Sequence, residues 1–178
     1  MDAEPLKTIR APLLPVTHTV LFPGALVPVV VFEETQVALV DEVCRSTELM
    51  VGVVFAPERE GFEPGVGLDT VGTLGRIIRH RRAPGGEITI MVQGMARVRV
   101  EEVVQEFPFR VADFAILQPF EPQEAEDLRA RMMAVFETYL SYCRGDVEGL
   151  RASLAQIEEL GPAVDVALAC VPAPPERR

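Results

Sequence analysis

Two apolar segments separated by a Pro-Gly pair dominate the chain between residues 12 and 32. The second of them, Leu26 to Phe32, is rich in valine and is interrupted only by Pro28. Because valine at almost every position leaves no polar side to solvate, this segment predicts a strand that is buried on both faces. Proline has no backbone N–H to donate, which places Pro28 at a strand start, a bulge or a sheet edge.

A helix and a second buried strand are predicted next. The apolar residues between Glu33 and Arg45 fall mainly on one helical face, as in an amphipathic helix. Leu49 to Phe55 is a continuous apolar run and predicts a buried strand. The prolines and glycines of residues 56–67 mark a loop in solvent.

Residues 71–117 have the alternation and the turn spacing of a β-rich region. Residues 71–82 predict one long strand or two strands joined by a kink, and Pro84-Gly85-Gly86 predicts the following turn. In the returning strand every second residue from Ile88 to Val92 is apolar, and Gly94 predicts a bulge or a bend. At least six strands with frequent turns indicate a curled sheet or a small barrel.

The period of the apolar residues changes to that of helices after Pro119. A long amphipathic helix is predicted over residues 123–143, and two shorter helices follow it as far as Val171. The whole pattern therefore predicts an α+β fold. We expect a flexible N-terminus at residues 1–11, a β-rich lobe with one early helix at residues 12–118, and an α-helical lobe at residues 119–178.

Composition and charge narrow the class of protein. With 48% hydrophobic and 25% charged residues, the chain of 178 residues has the composition of a folded globular protein. Its net charge of −10 disfavours nucleic acid as a partner. Cys44, Cys143 and Cys170 form no C-x-x-C pair, which favours reduced thiols. With no apolar leader and no apolar run of about 18 residues, we expect a cytoplasmic protein without membrane association.

Several kinds of catalysis lack their residues in this sequence. The G-x-x-x-x-G-K-[ST] motif that cradles nucleotide phosphates does not occur. His18 and His80 are too far apart in the chain to indicate a metal site or a catalytic triad. We therefore expect no catalytic residue, no metal and no cofactor.

Two motifs near the N-terminus carry a family resemblance. Leu14-Pro15-Val16-Thr17 followed by Val20-Leu21-Phe22-Pro23-Gly24 resembles the opening of the Lon N-terminal domain, with its LPLR-like strand and VLFPG turn. Thr17 and His18 replace the polar pair, Arg-Asp or Arg-Asn, that is usual there. Val71-Gly72-Thr73 and the segment from Val92 to Arg97 match in the same order and separation. The resemblance extends from about Pro12 to Val171.

The resemblance implies a PUA-like pseudobarrel followed by helices, and a role in selecting protein substrates for a homo-hexameric ATPase and protease. We expect neither activity in this chain. It lacks the phosphate-binding motif of an ATPase, and its one lysine, Lys7, lies in the expected flexible N-terminus rather than in a Ser–Lys pair. It would be a fragment of a full-length Lon, with the ATPase and protease domains as partners, or a stand-alone adaptor that binds another protein. In many family members the helical lobe continues beyond the position of Arg178, which favours a fragment.

Candidate binding residues follow from this role. Unfolded or degron-bearing polypeptides would contact apolar side chains that the fold leaves exposed. The predicted substrate-binding residues are Leu21, Phe22 and Pro23 at the turn, Leu26 next along the chain, and Phe62 in the Pro/Gly-rich loop. Turn tips tend to lie on the surface, whereas the segment from Leu26 to Val31 is itself expected to be core.

One dense basic group offers an alternative function. Arg76, Arg79, Arg81 and Arg82 surround His80. They could form an RNA-binding hairpin, or they could be a solvated face that balances an acidic chain. No aromatic residue is interleaved with the arginines for base stacking, and the net charge opposes RNA, so the solvated face is the favoured interpretation.

Overall fold

The computed structural model describes residues 7–56, 71–119, 122–143 and 147–171. The chain divides into two compact units between Gln118 and Pro119. In the first unit the elements are β1 (Thr8–Val16), β2 (Leu26–Val31), α1 (Glu34–Arg45), β3 (Met50–Phe55), β4 (Val71–Arg82), β5 (Ile88–Gln105) and β6 (Val111–Ile116). The second contains α2 (Ala125–Leu140), α3 (Val147–Ala155) and α4 (Leu160–Cys170). The predicted α+β class is confirmed.

The six strands form one sheet that closes on itself. Their order is β2-β5-β4-β3-β1-β6, and a further pairing of β5 with β6 closes the barrel. Of the strand pairings between described residues, only that of β1 with β3 is parallel. The closure depends on the length of β5, since its first part pairs with β2 and its second part pairs with β6. Gly94 lies between these parts, at a register shift against β4.

Two hydrophobic clusters explain the continuous apolar runs of β1 and β3. On β1, Leu14 belongs to one cluster and Leu13 to the other; on β3, Val53 and Val54 divide in the same way. These strands therefore bury both faces, as the sequence predicts for β3. The second cluster also contains Phe114 of β6, which is completely buried.

The first cluster lies between α1 and the strands. Leu39, Val40 and Val43 of α1 pack into it together with Val29 of β2 and Ile90 of β5. This helix therefore covers the inner face of the sheet formed by β2, β5 and the adjoining part of β4. The opposite side of the same three strands is not covered by α1.

Two expectations from the sequence are wrong here. Residues 8–11, predicted to be flexible, belong to β1 and pair with β6. The segment from Leu26 to Val31 is not buried on both faces, because Leu26 and Val30 are 52% and 53% exposed. Among the described residues β2 pairs only with β5, so Pro28 does lie on an edge strand.

The Pro-Gly pair forms a tight turn that is held against β5. The amide of Ala25 donates to the carbonyl of Phe22 (3.1 Å), and Gly24 has a φ of 77°. Proline before a glycine of positive φ is the arrangement of a type II turn. Gly24 donates to the carbonyl of Gly94 (3.0 Å), and Gly94 donates to the carbonyl of Ala25 (2.8 Å).

The helical unit has a core of its own. This core is a cluster of buried side chains from all three helices, namely Phe136, Leu140, Leu154 and Ala167. Arg151 of α3 binds Glu137 of α2 at 2.6 Å, and this hydrogen bond and charge pair lower the pKa of the Glu137 carboxyl.

Gly94→Ala should destabilise the protein by about 1–3 kcal/mol, the usual cost of forcing an extra carbon into a packed site. A Cβ at Gly94 would overlap the carbonyl oxygen of Phe22 and lie 2.9 Å from its carbonyl carbon. Gly85→Ala is the matched control, because a Cβ there has no atom within 4 Å. Urea denaturation measures both. Equal midpoints for the two variants would show that the turn does not need this close approach.

Candidate functional site

The turn that was predicted to bind substrate is largely buried. Leu21 and Phe22 are only 5% and 6% exposed, so the expectation that the turn exposes them to a ligand is wrong. Pro23 is half-buried, and Leu26 is exposed. Phe62 lies outside the described residues.

Hydrogen bonds to neighbouring strands account for the burial of Leu21 and Phe22. Thr73 of β4 is itself buried, and its hydroxyl donates to the carbonyl of Leu21 at 2.6 Å. The contact with Gly94 described above holds the backbone of Phe22 against β5. The turn is therefore drawn inward by strands that are remote in sequence, and its apolar side chains join the core.

A row of exposed apolar residues lies instead at alternate positions along β2 and just beyond its end. Leu26, Val30 and Phe32 are 52%, 53% and 70% exposed, and Pro28 between them is exposed as well. Side chains at i, i+2 and i+4 of a strand share a face. We call these four residues the apolar column.

The strand register extends this column into a patterned surface. On β5, Gln93, Met91 and Thr89 face Leu26, Pro28 and Val30 in turn. On β4, Arg76, Arg79 and Arg81 face the same three β5 residues. Cross-strand partners lie on one face, so apolar residues, mixed residues and arginines form three parallel columns. We call this surface the outer face and its three arginines the arginine column.

A bulge in β4 aligns the arginine column. The register with β5 shifts between Ile77 and Arg79, which leaves Ile78 as an extra residue that is 51% exposed. Without it, strict alternation from Arg76 would send Arg79 and Arg81 to the inner side. The bulge therefore brings together three arginines whose spacing in the sequence does not match a strand period.

Arg82 is the one residue of the predicted basic group that does not belong to this column. It pairs with Ile88, a core residue, and its guanidinium binds Asp41 of α1 at 2.5 Å. The basic group is thus divided between two sides of the sheet.

β2 has one edge to which no described strand is paired. A groove of about 310 Å³ runs along this edge. Val29, Val31 and Val16 contribute buried side chains to it, and Thr17 and His18 lie on its far side. The two residues that depart from the family pattern therefore line this groove.

Cys44 and His80 form the one pairing in the described β-rich unit that resembles a catalytic dyad. The Cys44 sulfur lies 3.5 Å from Nδ1 of His80. Burial raises the pKa of the Cys44 thiol, and the charge of Asp41 raises it further. A nucleophilic cysteine needs the opposite shift, so this contact favours a structural role.

The helical unit has a second apolar surface. A cavity of about 580 Å³ lies between α2 and α4, and Val135, which is 72% exposed, contributes to its lining together with Phe136 and Leu168. It provides a separate surface against which the role of the outer face can be tested.

The described ranges contain no group of three or more His, Cys, Asp or Glu side chains placed to hold a metal ion. None of their helices has both the length and the apolar character needed to cross a bilayer.

The outer face can offer a ligand apolar contact and positive charge, but no reacting group. Sequence reasoning identified Leu26 and the arginines, and it missed Val30, Phe32 and Met91. The period-2 alternation that would have revealed Val30 is hidden in β2, because both faces of that strand are apolar. Met91 lies on β5, where the alternation of Ile88, Ile90 and Val92 does place it on the opposite face.

Comparison with known proteins identifies a family. The profile of the ATP-dependent protease La (LON) substrate-binding domain matches residues 10–178. A Lon protease of Roseiflexus castenholzii is 41% identical over 106 residues, which are 59% of this chain and 13% of that protein. A Lon protease of Cytophaga hutchinsonii is 32% identical over 140 residues, 78% of this chain and 17% of that protein. The chain thus spans a small part of these relatives.

Solved structures show the same fold. The N-terminal domain of Mycobacterium avium complex Lon protease superimposes with a TM-score of 0.69 at 16% identity, over 95% of this chain and 87% of that one. A Lon N-terminal domain protein from Xanthomonas campestris superimposes with a TM-score of 0.51 at 25% identity, over 92% of this chain and 99% of that one.

Two phenylalanines should respond to the same substitution in opposite ways. Phe22→Ser should cost at least the roughly 3–5 kcal/mol of a buried Phe→Ala change, because Phe22 is buried. Phe32→Ser should change the free energy of unfolding by no more than about 0.5 kcal/mol, as for other exposed positions. Thermal and urea denaturation of both variants test this. A stable Phe22→Ser protein, or an unfolded Phe32→Ser protein, would contradict the assignment of the exposed face.

Proposed function

The chain belongs to the Lon substrate-binding domain family, and on that premise we propose that it binds unfolded or degron-bearing polypeptide through the apolar column of β2. The single observation that carries the proposal is the exposure of Leu26 and Val30 on one face of β2, together with that of Phe32, which directly follows the strand. Exposed apolar surface on a folded domain commonly marks a partner site.

Apolar contact suits a domain that must accept many sequences. It is not directional, so it does not require a fixed pattern of hydrogen bonds in the ligand. A disordered ligand loses chain entropy when it docks, which keeps the affinity of one domain at roughly micromolar or weaker. In a hexameric Lon protein several copies would bind one polypeptide together and raise its apparent affinity.

The role we propose is substrate recognition without catalysis. The matched relatives are named Lon proteases, and this chain spans 13% and 17% of the length of two of them. In a protein of that kind, the domain would hold a polypeptide for the ATPase and protease domains. The described surface supports this role with apolar side chains and arginines rather than with a nucleophile.

Removing apolar side chains from β2 should weaken polypeptide binding. We expect the double variant Val30→Ser, Phe32→Ser to bind a fluorescently labelled, permanently unfolded casein at least about tenfold less tightly, since each apolar side chain buried in a complex contributes about 1.5–3 kcal/mol. Fluorescence anisotropy measures the affinity, and a thermal melt confirms that the variant is folded.

The matched control changes the same residue types elsewhere. Val135 and Phe107 are 72% and 84% exposed and do not belong to the outer face. The double variant Val135→Ser, Phe107→Ser should therefore bind casein like the parent. If the control loses affinity and the β2 variant keeps it, the apolar column is not the binding site.

The purified chain should neither hydrolyse ATP nor degrade casein. The phosphate-binding motif is absent from the sequence, and Lys7 is its only lysine. Phosphate release and gel analysis of casein measure the two activities. ATP turnover that persists through a second purification would contradict a purely recognitive role.

A further inference from the structure

The arginine column carries positive charge that the described part of the chain does not neutralise. Arg76, Arg79 and Arg81 are exposed, and none forms an ion pair with a described carboxylate. Arginines that do pair with a described carboxylate include Arg10, Arg45, Arg82, Arg99, Arg110 and Arg151. The sequence has 27 acidic and 17 basic residues, so acid groups are in excess and yet are not placed beside this column.

The arginine column lies beside the apolar column, and together they give the outer face a defined chemical pattern. Each of its three rows has an apolar residue on β2, a residue of β5, and an arginine on β4; the first row is Leu26, Gln93 and Arg76. No row contains an acidic residue. Neighbouring strands lie about 4.8 Å apart, so the apolar and arginine columns are about 10 Å apart, or roughly three residues of an extended chain.

We propose that the outer face selects polypeptide segments that carry Asp or Glu close to their apolar residues, and disfavours segments that carry Lys or Arg there. This specificity rests on the proposed function, because the apolar column must first hold the segment. A carboxylate beside an arginine gains charge-assisted hydrogen bonds.

Charge complementarity identifies the occupant. One exposed ion pair contributes little, about 0.2–1 kcal/mol in typical cases, but three arginines act on the same segment. The remainder of the chain is strongly acidic and repels anionic segments. The arginine column therefore groups three positive charges on an otherwise acidic chain, and these charges attract an acidic segment and repel a basic one.

Three short labelled peptides of equal length and identical apolar residues test the proposal. They differ only at the intervening positions, which are all Glu, all Gln or all Lys. With the full chain at low salt we expect the Glu peptide to bind about three- to tenfold more tightly than the Lys peptide, with the Gln peptide between them. Because exposed charges are screened, the difference should shrink in about 0.5 M salt.

Two triple variants separate the arginine column from net charge. Arg76→Gln, Arg79→Gln, Arg81→Gln should bind the Glu and Lys peptides within about twofold of one another and should bind the Gln peptide like the parent. The control is Lys7→Gln, Arg45→Gln, Arg131→Gln, which removes the same charge from three exposed positions outside the outer face. The control should retain the full preference for Glu.

The outcomes distinguish this inference from the proposed function. Equal binding of all three peptides by the parent would overturn charge selection and leave apolar recognition intact. Failure to bind any peptide would overturn both. A poly-U RNA that binds below micromolar Kd in about 0.15 M salt, and loses binding only in the arginine-column variant, would make the column a nucleic-acid site and overturn the proposal.

Discussion

The outer face depends on one close backbone contact, that between the turn at residues 22–25 and Gly94 of β5. Two hydrogen bonds and the lack of a side chain at Gly94 hold the turn there. Because β2 follows the turn directly, this contact sets where β2 begins along β5, with Leu26 opposite Gln93. A shift of one residue would expose Val29 and Val31 and bury the apolar column. The contact therefore fixes both the core and the candidate site.

The elements of the fold could largely be predicted from the sequence, but the burial of each strand could not. β2 and β3 are both short, valine-rich runs without a polar face. In β3 both faces are covered, because it lies between two paired strands and two hydrophobic clusters. In β2, which ends the strand order, α1 covers one face only. The difference comes from strand order, which pairs residues far apart in sequence.

Strand order and register also explain which candidate site residues could be predicted from the sequence. Leu26 was named among the binding residues and is exposed, whereas Phe22 is buried, because a glycine more than seventy positions later draws the turn inward. The arginines could be recognised as a group in the sequence, but their distribution over the two sides of the sheet could not. The bulge at Ile78 places Arg79 and Arg81 beside Arg76, while Arg82 binds Asp41 on the other side. Neither a bulge nor an interstrand register follows from local residue patterns.

A face that binds unfolded chains, as we propose for this one, must do so without binding itself. An apolar edge strand is a hazard, since it can pair with the same strand of another molecule. Pro28 removes one N–H from that edge, and the arginine column of one copy would repel the same column of another across any contact that joins their outer faces. Leu26, Pro28 and Val30 of the apolar column also belong to a regular strand held by β5, so they are already ordered before a ligand arrives, which lowers the entropy lost on binding. These features favour weak, reversible binding of flexible segments over association between folded copies.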